Sequence, residues 1–177
     1  MNGGWSMKLD YYQVEAHRTA LYKNLNLEIA YPCLGLIGEL AELVEAIEAP
    51  QFDTERIYSE LGDVLWYIAA VCTDMGLQLS VCTGVVSFEE ITLNNPGSDI
   101  KFFLMAGKAC EAAKKVLRDG NETKKVIIRA CLRNLLEHFA AFCNFNNLSL
   151  THAADLNLNK LRSRQERGVV HGDGDTR

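Results

Sequence analysis

Apolar residues return every three to four positions along almost the whole chain, and strict apolar–polar alternation is nearly absent. That period is the mark of amphipathic helices. A first helix is predicted from Leu9 to about Tyr22, through DYYQVEAHRTALY. Tyr31-Pro32 marks the next boundary, because proline suits a first helical turn and biases its predecessor away from one. The second helix runs from there to about Ala49, where Pro50 stops it. Asp53 or Thr54 caps a third, which continues to about Met75 before Gly76. A short helical turn is expected in SVCTGV. After the turn-rich SFEEITLNNPGSD come helices from about Ile100 to Leu117, Glu122 to Phe145 and Ser149 to Gln165, the first two separated by Asp119-Gly120-Asn121. The expected fold is all-α, a bundle of about six to seven helices.

Two stretches of this pattern resemble two others. GELAELVEAI from Gly38 can be laid on GKACEAAKKV from Gly107 with a shift of 69 residues, and GLQLSV from Gly76 on NLSLTH from Asn147 with a shift of 71. The near-constant offset points to an internal duplication of a helix–loop–helix unit. In the second copy Lys108 stands for Glu39, Glu111 matches Glu42, Cys131 stands for Glu60 and Asn134 for Asp63. One domain over 1–177 is expected: an acid-bearing half at 9–90, a degenerate repeat with the last helix at 98–165, and a flexible tail at 166–177.

A chain of 177 residues with 48% apolar content builds one domain with a substantial core. The formal net charge of -5 argues against a nucleic-acid-binding surface, but leaves room for a small anion held by a metal or a few local cations. The six cysteines form no C-x-x-C pair and lie mostly in apolar helical runs, so free buried thiols in a reducing compartment are expected. No signal peptide opens the sequence and no apolar run reaches the ~18 residues of a membrane span, which suggests a cytoplasmic protein with no membrane contact.

Within that picture, four acids stand out. On a helical wheel Leu36, Leu40, Leu43 and Ile47 share one face of the second helix, with Glu39 and Glu42 at its margin. Ile57, Leu61, Val64, Leu65 and Ile68 do the same in the third, with Glu60 and Asp63 along the margin. Acids at i and i+3 are neighbours, and two such pairs on packed helices converge on one seam. Converging carboxylates repel each other, and a divalent cation removes the conflict. All-oxygen ligands favour Mg²⁺, with Mn²⁺ a possible substitute, over zinc. A lone E-x-x-E is usually a solvated face, as expected for Glu45 and Glu48; two at matching margins are rarer. Gly38 and Gly62 interrupt these helices at a cost of about 1 kcal/mol each relative to alanine, which suggests close approach of another helix or a ligand.

GELAELVEAI followed by SELGDVLWYIAAV resembles the E-x-x-E … E-x-x-D signature of the MazG-like all-α nucleoside triphosphate pyrophosphohydrolases. YQVEAHRTALY resembles the YQ-x-x-A-x-R-T opening of some of them, and NLNKLRSRQERG their N-x-x-K-L-x-x-R segment. The resemblance implies Mg²⁺-dependent hydrolysis of a nucleoside triphosphate to monophosphate and pyrophosphate, with Glu39, Glu42, Glu60 and Asp63 as metal ligands. It also implies that Lys160 and Arg164 counter charge on the leaving group and that Asn157 holds a phosphate or sugar oxygen. The dimeric dUTPase branch pairs an active with a degenerate half in the same way, which implies one centre per chain and a homodimer or larger homo-oligomer.

Base recognition has weaker candidates: Trp66 and Tyr67 as stacking surfaces, and Gln13 as an amide reading a base edge. Their ordinary role in such a helix is packing. His17, His138 and His152 show no metal-ligand spacing. Arg162 is expected to serve solubility, while Arg167, His171 and Arg177 lie in a tail that either closes over phosphates or stays loose. Two rivals stand beside the enzyme: a nucleotide-binding or regulatory module whose catalysis has lapsed, and a structural bundle with solvated acids.

Overall fold

The Asp53 carboxylate accepts hydrogen bonds from the Glu55 and Arg56 amides at 3.0 and 3.2 Å, and Ser149 Oγ accepts from the His152 amide at 3.2 Å. These two caps set where the central and the last helices begin. In the computed structural model, residues 7–22, 27, 29–93 and 99–168 are described. They form α1 (Leu9–His17), α2 (Ala30–Glu48), α3 (Thr54–Asp74), α4 (Leu79–Thr83), α5 (Ile100–Asp119), α6 (Lys125–Phe145) and α7 (Leu150–Glu166), with single 3₁₀ turns at Phe88–Glu90 and Glu122–Lys124. Among the described residues there is no strand, only an isolated antiparallel bridge between Lys8 and Ser87.

Two boundaries differ from expectation for stated reasons. α1 stops at His17 rather than near Tyr22. Thr19 Oγ1 donates to the Ala16 carbonyl at 2.7 Å, and the Trp66 indole N–H reaches both Ala16 O and Thr19 Oγ1, at 3.1 and 3.0 Å. The carbonyl that would continue the helix is thereby satisfied from α3. α2 begins at Ala30, so Pro32 sits inside its first turn, where a missing N–H costs nothing.

α2 and α3 pack as antiparallel neighbours, with Gly35 against the Tyr67 ring and Glu39 beside Glu60. Leu36, Leu40 and Leu43 of α2 and Ile57, Leu61, Val64, Leu65 and Ile68 of α3 are all fully buried between them, while Ile47 is half-buried. α5 and α6 form a second pair, closed by Phe102 against Phe139 with ring centroids 4.7 Å apart. α5 joins the pairs by packing on α2, and α7 lies across α3 beside α1. The two pairs also end alike. Gly76 (φ 65°) and Asn147 (φ 56°) both take the left-handed conformation after α3 and α6. Leu77 N then donates to Cys72 O at 2.8 Å and Leu148 N to Cys143 O at 2.7 Å, the closing bond of a Schellman-type cap.

All six cysteines are free, five of them buried and Cys110 half-buried. No helix among the described residues is long and apolar enough to cross a membrane.

Candidate metal centre

Glu39 and Glu42 project from one turn of α2 toward Glu60 of α3. One carboxylate oxygen from each lies within 4.8 Å of the other two. Glu60 is buried, Glu39 half-buried and Glu42 exposed, so the cluster grades from the helix seam out to solvent. Arg56 is a distant partner, its Nε 3.9 Å from Glu60 Oε1. Burial, and then the charges of Asp63, Glu42 and Glu60, push the Glu39 carboxyl up to about 8; Lys160 pulls weakly the other way. A carboxyl kept protonated near neutrality by burial, and then by the carboxylates that face it, carries an electrostatic cost that a divalent cation relieves. Three oxygen donors and no nitrogen or sulfur suit Mg²⁺ or Mn²⁺.

Asp63 is held differently. Its Oδ1 accepts from Asn157 Nδ2 at 3.0 Å and its Oδ2 from Lys160 Nζ at 2.5 Å; Lys160 Nζ also donates to Ser59 Oγ at 3.0 Å. Asn157 is buried, and its Oδ1 accepts from Tyr12 OH at 2.9 Å. Tyr12 is fully buried, edge-on to Phe88 at 5.4 Å, and desolvation by burial keeps its hydroxyl protonated and therefore a donor. A chain of hydrogen bonds thus runs from α1 through α7 to Asp63, and fixes the fourth acid where its charge acts on Glu39. It requires α7 to lie very close to α3. Gly62 permits this: a Cβ there would stand 2.9 Å from Asn157 Cβ and 3.2 Å from the Ala153 carbonyl.

The remaining site candidates sit in varied surroundings. Asn157, expected on a phosphate or sugar oxygen, donates to Asp63. Arg164, expected to face the leaving group, is buried at 6% exposure. Gln13, expected to read a base edge, is buried: its Nε2 donates to Thr73 Oγ1 at 3.0 Å and Leu77 O at 2.8 Å, while its Oε1 accepts from Leu79 N at 2.8 Å. All three bonds tie α1 to the turn between α3 and α4, so Gln13 is a structural lock. Trp66 uses its indole N–H on α1, as described above. Arg162 pairs with Glu15 at 3.3 Å and Tyr11 OH at 3.1 Å on the surface. Gly38 has nothing within 4 Å of an added Cβ, so no helix approaches it; the glycine pressed against a neighbour in α2 is Gly35, where a Cβ would fall 2.0 Å from Tyr67 Cε1. Arg167 is exposed with Nε on the Ser163 carbonyl at 3.2 Å, while His171 and Arg177 lie outside the described residues.

Tyr67 stays in play. Half-buried, it feels the charges of Glu39 and Asp63, and burial first raises its hydroxyl pKa well above the usual value. It belongs to an aromatic group the sequence reading missed: Tyr22 stacks on Tyr31 at 4.8 Å and 9°, and Tyr31 lies 6.3 Å from Tyr67. In the sequence Tyr31 stands out only as a pre-proline boundary, Ser59 only as the first residue of SELGDVLWYIAAV, and Tyr12 only as the tyrosine of the YQ-x-x-A-x-R-T pattern.

The model of the MazG nucleotide pyrophosphohydrolase domain matches residues 32–85, the segment holding α2 from Pro32 onward, α3, α4 and all four acids. Among curated proteins, the Gene 37 protein of Mycobacterium phage L5 is 30% identical over 91 residues, covering 44% of this chain and 80% of that protein. No solved structure matches the chain. With the acid cluster inside the matched segment and an all-helical fold around it, the chain belongs to the MazG nucleotide pyrophosphohydrolase family.

Proposed function

We propose that this chain is a Mg²⁺-dependent nucleoside triphosphate pyrophosphohydrolase, converting an NTP or dNTP to the monophosphate and pyrophosphate. The observation that carries the reading is the convergence of Glu39, Glu42 and Glu60 oxygens within 4.8 Å, with Asp63 fixed alongside. Glu39, Glu42 and Glu60 would hold the ion, with Asp63 as the fourth acid. When bound, the ion supplies charge neutralisation of the triphosphate and acidification of the attacking water. Water attacks the α-phosphorus; the bond from that phosphorus to the bridging oxygen breaks, and pyrophosphate leaves with the electron pair. The water oxygen stays on the monophosphate and its proton passes to a cluster carboxylate, for which Glu39, its pKa raised to about 8, is the favoured acceptor. Lys160 sets a positive charge at the edge of the cluster, where it steadies Asp63 and offsets the charge on the leaving group. Tyr67 and Tyr31, with rings tilted 35° to each other, offer aromatic surface for the base. Exposed Leu34, Ile100, Val126 and Phe145 offer apolar surface for a homodimer, which light scattering at micromolar concentration tests.

Product analysis across the common NTPs and dNTPs, dUTP included, with and without Mg²⁺, tests the activity. Monophosphate and pyrophosphate are expected only with Mg²⁺, and not from Glu60→Gln. Diphosphate and orthophosphate would mean attack at another phosphorus and overturn the reaction. Metal-dependent nucleotide binding without turnover would replace it with the lapsed, regulatory module.

A further inference from the structure

The α5–α6 pair bears a groove of about 370 Å³, within the ~300–1,000 Å³ range of small-molecule sites. Its lining is polarised along α5. Phe103 and Leu104, near the start of the helix, form an apolar end; Lys115, near its finish, and Lys124, just before α6, form a cationic end, with Ile127 beside them. Lys108 stands between the two ends. Leu104 and Ile127 are 47% and 42% exposed although they belong to a concave surface. Gly107 leaves the middle open, since a Cβ there would meet nothing within 4 Å.

Charge narrows the ligand. Lys108, Lys115 and Lys124 face a single acid, Glu111, so the lining carries two excess positive charges in a chain whose net charge is -5. Glu111 is already neutralised by Lys114 and by Lys115, the latter at 3.3 Å. A phosphomonoester carries about -1.5 to -2 at neutral pH, which matches that excess. An aromatic ring is the partner that Phe103 and Leu104 suit. From Leu104 to Lys115 the helix rises roughly 16 Å, enough for a ring at one end and a phosphate at the other.

Position supplies an independent observation. In the register that lays Gly38 on Gly107, Lys108 takes the place of Glu39 and Glu111 that of Glu42. Lys108 also acts electrostatically on Cys131, the counterpart of Glu60, much as Glu39 and Glu60 act on each other. The groove therefore includes the place that corresponds to the acid cluster, with its sign reversed. A phosphate that needs a cation in the first half meets ammonium groups directly in the second.

We infer that the α5–α6 groove is a second, metal-independent site for a nucleoside monophosphate, with phosphate on Lys115, Lys124 and Lys108 and the base against Phe103 and Leu104. Under the proposed reaction this ligand is a product, so the site would let the chain sense its own output.

Calorimetric titration of the full chain with AMP in EDTA isolates the groove, because the metal-free acid cluster repels phosphate. Saturable binding with Kd on the order of 10–100 μM is expected. Lys108→Glu and Lys124→Glu should each weaken it at least tenfold. Gly107→Met starts from a Cβ that meets no neighbour within 4 Å, fills the open middle, and should abolish binding. AMP binding should survive in Glu60→Gln, which separates this site from the proposed reaction. Inorganic phosphate should compete poorly, because it leaves the apolar end empty. Absence of binding, binding lost in Glu60→Gln but kept in Lys108→Glu, or equal competition by phosphate would each overturn the assignment.

Discussion

The α2–α3 and α5–α6 pairs share a scaffold and differ at its margin. Both bury apolar faces of similar length, and both end in the same left-handed cap, at Gly76 and at Asn147. At the margin one pair presents Glu39, Glu42, Glu60 and Asp63; the other presents Lys108, Glu111, Cys131 and Asn134. The third helix each pair meets differs too. α3 receives α7 at Gly62, whereas the corresponding position in α6 is Arg133, exposed and paired with Glu137 at 2.7 Å. Core positions keep the helices together whatever the margin carries. The margin and the crossing helix decide what chemistry the pair can do.

The largest expected difference is catalytic. Glu60→Gln should lower Mg²⁺-dependent turnover by at least ~10²-fold without unfolding the chain, while Glu111→Gln should leave turnover unchanged. Steady-state rates with circular dichroism as a folding control check both; equal effects would erase the distinction between the halves.

Next comes the helix crossing. Gly62→Val drives a side chain into Asn157 and the Ala153 carbonyl and should destabilise by about 1–3 kcal/mol. Because it displaces the amide that orients Asp63, turnover should fall with it. Arg133→Ala, the counterpart, should change stability by no more than about 0.5 kcal/mol in a urea melt.

Glu39 gives the halves different pH responses. Its folded pKa, about 8, exceeds the ordinary 4.5, so its contribution to stability is full below the ordinary value and is lost as pH rises through about 8. Thermal melts in EDTA should therefore drop between about pH 5 and 8, and Glu39→Gln should flatten that drop. Mg²⁺ should restore stability at the upper end, because the ion favours the ionised carboxylates.

Smallest are two glycine changes. Gly38→Ala and Gly107→Ala meet open space and should each stabilise by about 0.5–1 kcal/mol. Turnover lost in Gly38→Ala despite the gain would show that substrate, rather than a helix, approaches there.

The helices and acidic margins were legible because they depend on local period. Leu36, Leu40 and Leu43, and Ile57, Leu61, Val64, Leu65 and Ile68, are buried as their spacing requires. What escaped depends on contacts far apart in sequence. Tyr12 reaches Asn157 across 145 positions, and Asn157 reaches Asp63 across 94. An asparagine and a glutamine that look exposed on a wheel are buried once α7 and α1 cross α3. Gly35 rather than Gly38 is the tight point in α2, because the position of the Tyr67 ring on α3 decides it. α1 ends early because an indole from another helix captures the Ala16 carbonyl, which no local propensity records.

The central claim is that the carboxylates of the first half form a metal centre and those of the second do not. Manganese titration of the full chain, with free Mn²⁺ followed by electron paramagnetic resonance, tests it directly. Binding should be saturable, fall at least ~10-fold in affinity in Glu60→Gln, and persist in Glu111→Gln. Wild-type affinity in Glu60→Gln would mean that the acids converge without holding a metal, and the account would fail there.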